Sequence, residues 1–129
     1  MKQRVIEVEA GELASFVARS GIPEEFIFVL SDSISDAASF FRSARSTLPL
    51  NPPNLSDLWD PLLDSLWEGL SQLQTRELML IWPQYRRMKM SSSEDFEIAL
   101  GVLSVVAKGL SEEEGTDADS KELVIVLVR

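Results

Sequence analysis

Apolar residues along the chain fall into two kinds of pattern. Three short, uninterrupted runs have the length of strands: "FIFVL" at 26–30, "ELMLIW" at 77–82 and "ELVIVLV" at 122–128. Continuous rather than alternating apolar character is what a strand buried on both faces of a sheet requires. A fourth segment, "RVIEVEA" at 4–10, alternates apolar with polar residues and suits a sheet edge. Between these runs, apolar residues recur at helical spacing over 12–19, 35–46, 55–73 and 94–110. Strands alternating with helices predict an α/β fold, a small three- to four-stranded, mainly parallel sheet packed with helices.

The pattern over 94–110 is the clearest of the four. "SSSEDFE" offers serine caps and first-turn acids that suit the positive end of a helix dipole. Phe96, Ala99, Leu100, Leu103, Val106, Ala107 and Leu110 then share one face. The following "SEEEGTDADSK" carries Glu112, Glu113, Glu114, Asp117 and Asp119. These acids lack the ligand spacing, central glycine and closing glutamate of a calcium loop, so they read as a solvated charge run. A segment rich in proline and asparagine at 49–54 is the other punctuating loop.

The segment 55–73 combines a strong apolar face with an acidic one. At 100° per residue, Leu55, Trp59, Leu62, Leu63, Leu66, Leu70 and Leu73 cluster on one side, with Leu58 at the margin. Asp57, Asp60, Asp64 and Glu68 fall opposite, three or four residues apart. The segment holds no lysine or arginine to neutralise them, although like charges at that spacing oppose helix formation. Pro61 leaves two versions open. In a continuous helix it removes the bond to the Asp57 carbonyl and costs about 3 kcal/mol. In a broken one, a first turn spans 55–59, Asp60 serves as N-cap and Pro61 takes the first helical position. Trp59 is expected in the core, and Trp67, at the edge of the apolar face, is a candidate to border an interface.

Charge narrows the classes of function. Against 21 acids stand 12 bases, for a net charge of −9. Such a field repels nucleic acid and anionic membrane, and favours basic partners. The absence of cysteine and histidine excludes disulfides, thiolate catalysis, histidine-activated nucleophiles and zinc sites built from those ligands. No apolar run approaches a membrane span or a signal peptide, so a cytoplasmic protein is expected. Paired carboxylates can also catalyse glycoside hydrolysis or hold a hard metal ion, but these four point one way with no opposing wall. Neither enzyme activity, metal nor cofactor is therefore expected.

At the acidic segment the chain resembles a known family. "NLSDLWDPLLD", residues 54–64, is similar to the N-L/W-D-A-L-W-D segment of the barstar family, small cytoplasmic inhibitors of extracellular ribonucleases such as barnase. "ISD" at 34–36 and "LP" at 48–49 resemble the start and exit of that family's first helix, and "ELMLIW" and "ELVIVLV" occupy the places of its later strands. The resemblance implies a single barstar-like domain over 1–129, with a core at 24–129 and an additional βα unit at 1–23. It also implies a helix-plus-loop surface that plugs a nuclease active site, the helix acids meeting the enzyme's cations in place of phosphate. Asn54, Leu55, Trp59 and Asp60 match the motif, with Asp60 at the position of the acid that enters the active site. Ser56 stands where the motif has its earlier acid and Asp57 follows one place later, while "LNPP" replaces the usual binding loop. These departures point to a ribonuclease other than barnase.

The expected function is thus a cytoplasmic immunity or inhibitor protein, monomeric when free, that blocks a basic ribonuclease without catalysis. Its expected protein-binding residues are Asn54, Leu55, Ser56, Asp57, Asp60, Asp64 and Trp67. The alternative is a non-inhibitory adaptor that keeps the fold and binds another basic protein.

Overall fold

The computed structural model describes residues 4–53, 56–112 and 120–129. Among the described residues, four strands form one sheet: β1 (Val5–Val8), β2 (Ile27–Val29), β3 (Glu77–Pro83) and β4 (Glu122–Val128). Their order is β1-β4-β3-β2, and every neighbouring pair is parallel. The α-helices of the described residues that pack with it are α1 (Leu13–Ser20), α2 (Ala37–Thr47), α3 (Trp59–Ser71), α4 (Arg86–Ser91) and α5 (Ser93–Ser111). The protein is a small parallel α/β fold, with the two longest apolar runs, β3 and β4, at its centre and the alternating β1 at an edge.

The sheet separates two unequal apolar layers, because successive strand residues point to opposite faces. Leu78, Leu80 and Trp82 of β3, with Leu123, Ile125 and Leu127 of β4, face the large core. There they meet Phe40, Phe41 and Ala44 of α2, Leu62, Leu66 and Leu70 of α3, and Phe96, Ala99, Leu103 and Val106 of α5. Met79, Ile81, Val126 and Val128 face the other way, where, among the described residues, Leu13, Phe16 and Val17 of α1 and a few flanking residues cover them. Trp82 is fully buried between Phe40 and Phe96, with ring centroids 5.1 and 5.3 Å away. Aromatic neighbours at that separation add to area burial.

At the carboxyl ends of β1, β3 and β4 a charged cluster joins the edge strand to the centre. The Tyr85 hydroxyl donates to Glu7 of β1, and Arg129 and Arg86 lie 3.6 and 3.7 Å from the same carboxylate. Arg129 also reaches Glu9 at 3.0 Å. The tyrosine hydrogen bond, helped by the two guanidinium groups, holds the Glu7 carboxyl below the usual glutamate range. Burial, reinforced by Glu7, pushes the Tyr85 phenol up.

Several boundaries differ from those expected. The run at 26–30 yields only three strand residues: Phe26 belongs to a 3-10 turn, Glu24–Phe26, and Leu30 follows the end of β2. Helix α4 has no counterpart among the expected elements; six residues with one buried side chain, Met88, are too few to display a period. Helix α5 starts at Ser93 with Glu94 and Asp95 in its first turn, but Ser92 at the N-cap makes no side-chain capping bond. Among the described residues, no helix is long and apolar enough to cross a membrane.

Candidate protein-binding surface

Helix α3 and the segment that joins it to α2 carry Asp57, Asp60, Asp64 and Glu68, the acidic residues singled out above. Asp36 caps α2: its carboxylate accepts from the Ser39 amide at 2.8 Å while the Ser39 hydroxyl accepts from the Asp36 amide at 3.1 Å. The bonds from the Ser39 hydroxyl and amide keep the Asp36 carboxyl below the ordinary aspartate range. From this fixed start, Phe40, Phe41 and Ala44 face the core and Arg45 faces the α2–α3 connection.

The connection is docked rather than loose. A Cβ on Gly69 of α3 would lie 1.4 Å from the Pro49 carbonyl oxygen, so only glycine lets the chain cross α3 this closely. The Asn51 amide donates to the Ser65 carbonyl at 3.0 Å. The Asn51 side chain donates to Gln72 at 2.9 Å, and Gln72 donates in turn to Glu68 at 2.9 Å. The first half of the "LNPP" departure is thus tied down, with Leu50 packed on the core and Asn51 bonded to α3 and Gln72, while Pro52 and Pro53 are exposed.

The expected helix over 55–73 is corrected at its start. Leu58 is extended (φ −121°, ψ 140°) and α3 begins at Trp59. Neither version drawn from Pro61 holds. The proline is the third helical residue, where its missing N–H has no intrahelical partner to lose. The carbonyl of Asp57, which its ring would strike in a longer helix, lies outside the helix. Asp60 is the second helical residue and not the N-cap, and Leu58, at the cap, makes no side-chain bond. The four carboxylates therefore do not share one helix: Asp60, Asp64 and Glu68 form a stripe on α3, and Asp57 precedes it.

A second correction concerns charge. Arg45 of α2 meets Asp57 at 2.6 Å and reaches the Ser56 carbonyl at 3.5 Å. A cation from a neighbouring element thus neutralises part of a face that looked uncompensated along its own segment. Asp60 and Asp64 are exposed and make no ion pair among the described residues. At a rise of about 1.5 Å per residue, the stripe from Asp60 to Glu68 extends about 12 Å along the axis. Glu68, half-buried, is engaged by Gln72.

The other candidates occupy mixed positions. Asn54 and Leu55 lie outside the described residues, as does the acidic run 113–119. Ser56 is half-buried, its carbonyl facing Arg45. Trp59 packs on Phe41 with ring centroids 4.5 Å apart and is half-buried at the rim of the core. Trp67 is half-buried as well; its indole lies over α5 at Gly109, where a Cβ would sit 3.2 Å from the indole nitrogen. Leu58, treated above as a marginal position of the apolar face, is 60% exposed between Asp57 and Asp60. Its displacement follows from the later helix start, since an extended residue owes nothing to helical periodicity. Arg45 was also missed, although its place on an amphipathic segment marks it as an exposed cation.

Chemically, the surface offers carboxylates and an exposed leucine on a rigid support. Leu62, Leu66 and Leu70, buried beneath the stripe, fix α3 in place. Among the described residues no group of three or more histidine, cysteine, aspartate or glutamate side chains is placed to hold a metal ion. Neither protein-family models nor curated proteins yield a match to this chain.

Proposed function

We propose that this chain is a barstar-like inhibitor that binds a basic ribonuclease and covers its active site, acting in the cytoplasm by binding and not by catalysis. The observation that carries the reading is the pair Asp60 and Asp64: exposed, without a cationic partner among the described residues, and held on a helix whose opposite face is buried. Desolvating two such carboxylates against arginine or lysine is favourable only for a partner that supplies those cations in matching positions. A nuclease active site does so, because it is built to hold phosphate. Leu58, between Asp57 and Asp60, supplies an apolar contact beside the charges. The departures at Ser56 and "LNPP" direct the reading to a ribonuclease other than barnase, and the Arg45–Asp57 pair leaves Asp60 and Asp64 as the main anionic determinants.

The test is co-expression of the chain with basic ribonuclease domains, beginning with any encoded by a neighbouring gene. Host growth and RNA cleavage are scored together. Rescue of growth with loss of cleavage supports inhibition. A stable complex that leaves cleavage intact identifies an adaptor instead, and overturns the inhibitory reading.

A further inference from the structure

We propose that the pocket between α2 and the chain that follows β2 is a binding site for a phosphate group, either the inorganic anion or the monoester of a small molecule. It is separate from the acidic stripe on α3 and does not depend on the function of that stripe.

The pocket has a volume of about 260 Å³ and is lined by Ser31, Ser33, Ser39, Arg42, Ser43 and Ser46. One water takes about 30 Å³ of the liquid, so the space suits a ligand of several heavy atoms. Its nature follows from which donors are unspent. The Ser39 hydroxyl donates to Asp36, and the Ser46 hydroxyl donates to the Ser43 carbonyl at 3.1 Å. Ser43, only 5% exposed, accepts from the Ser31 amide at 2.8 Å, but nothing among the described residues accepts its own hydroxyl hydrogen. The Ser31 and Ser33 hydroxyls lie 2.9 Å apart, and Ser31 Oγ also accepts from the Ser33 amide. One of their two hydrogens closes that contact and the other is left over. Arg42 is exposed and makes no hydrogen bond or ion pair among the described residues, so all its N–H donors are available.

Two hydroxyl donors and a guanidinium fork, with no carboxylate in the lining, select a ligand rich in acceptors and poor in donors. Ser43 gives this its force, since a hydroxyl so little exposed gains most from an acceptor placed in the pocket. A phosphate monoester is mostly dianionic at neutral pH and presents three strong acceptor oxygens. Two of them match the Arg42 fork and the third is left for the hydroxyls. A carboxylate has two oxygens, both engaged by a bidentate fork. Asp36 lies within electrostatic reach of Arg42, but its carboxylate accepts from the Ser39 amide and hydroxyl. Neither it nor the exposed Asp32 lines the pocket. A net charge of −9 opposes any anion held by charge alone, so binding here rests on the direct bonds.

The test is an amide NMR titration of the full chain with sodium phosphate, glycerol phosphate and sodium acetate, at about pH 7.5 where phosphate is mostly dianionic. Sodium chloride holds the ionic strength constant. Phosphate or its ester should give saturable shifts centred on residues 31–33 and 42–46. The tighter of the two identifies the source of the group, free anion or ester. Arg42→Gln should weaken binding about tenfold or more. Arg76→Gln removes the same charge from an exposed position outside the pocket and should leave binding nearly unchanged. The proposal is overturned if acetate binds as tightly as phosphate and its ester, if Arg42→Gln binds like the wild type, or if no saturable shift appears at these residues. It is equally overturned if Arg76→Gln weakens binding as much as Arg42→Gln, the result expected of a diffuse ion atmosphere.

Discussion

Gly69 shows how much of the candidate surface depends on one side chain being absent. Its Cα faces the Pro49 carbonyl so closely that the connection between α2 and α3 can dock only on glycine. Gly69→Ala raises helix propensity by about 1 kcal/mol, yet forces Pro49 and Asn51 away from α3. The clash is with backbone, which cannot rotate aside, so it wins. The expected outcome is a net destabilisation of about 1–3 kcal/mol in urea denaturation, with faster hydrogen exchange at the Asn51 amide. The same scale explains where the sequence was misleading. The apolar spacing of Leu55, Trp59, Leu62 and Leu66 runs through Leu58 without a break, so periodicity alone extends the helix to residue 55. Pro61 marked the conflict, and the structure resolves it by starting the helix two residues before the proline. The ion pair between Asp57 and Arg45 was illegible for another reason: it joins residues of different elements, and no local pattern records a partner 12 positions away.

Among elements, the long apolar runs were the most legible. Strands β3 and β4 follow the continuous segments at 77–82 and 122–128 almost residue for residue, because burial on both faces leaves little choice of composition. The alternating segment at 4–10 likewise becomes the edge strand β1. Short elements were less legible: α4 buries one residue, and β2 loses its first residue to a 3-10 turn. Strand β1 also carries a pH prediction. Since the folded-state pKa of Glu7 lies below its ordinary value of 4.5, the stabilisation it brings is present above that value and lost as pH falls through the lower folded-state value. Amides of β1 should therefore gain exchange rate in that acid range relative to those of β3. In Glu7→Gln the carboxylate is gone, and the difference between β1 and β3 should lose this acid-dependent step. Persistence of the step in the variant would assign it to another group.

At the scale of the whole molecule, net charge and the paired arginine act together. A net charge of −9 accelerates encounter with a basic partner, and salt screens that steering over about 10 Å at 0.1 M. Association with the target ribonuclease should slow as salt rises, while dissociation changes less. Arg45→Ala removes the cation that pairs with Asp57 among the described residues. Because that pair is partly exposed, stability should change by less than about 1 kcal/mol, and the association rate at low salt should increase. Stopped-flow mixing across a salt series measures both effects. A rate indifferent to salt would remove electrostatic steering from the account.

The central claim is that Asp60 anchors the inhibitory contact. The direct measurement is the inhibition constant against the ribonuclease that the chain blocks most tightly, taken for the wild type, Asp60→Ala and Glu112→Ala. Both residues are exposed acids, so each substitution changes net charge equally, but Glu112 follows α5 and lies outside the proposed surface. Asp60→Ala should weaken inhibition by about tenfold or more, and Glu112→Ala only slightly. Equal effects of the two substitutions, whether both small or both large, would contradict the assignment of Asp60 and reduce the acidic stripe to a source of general charge.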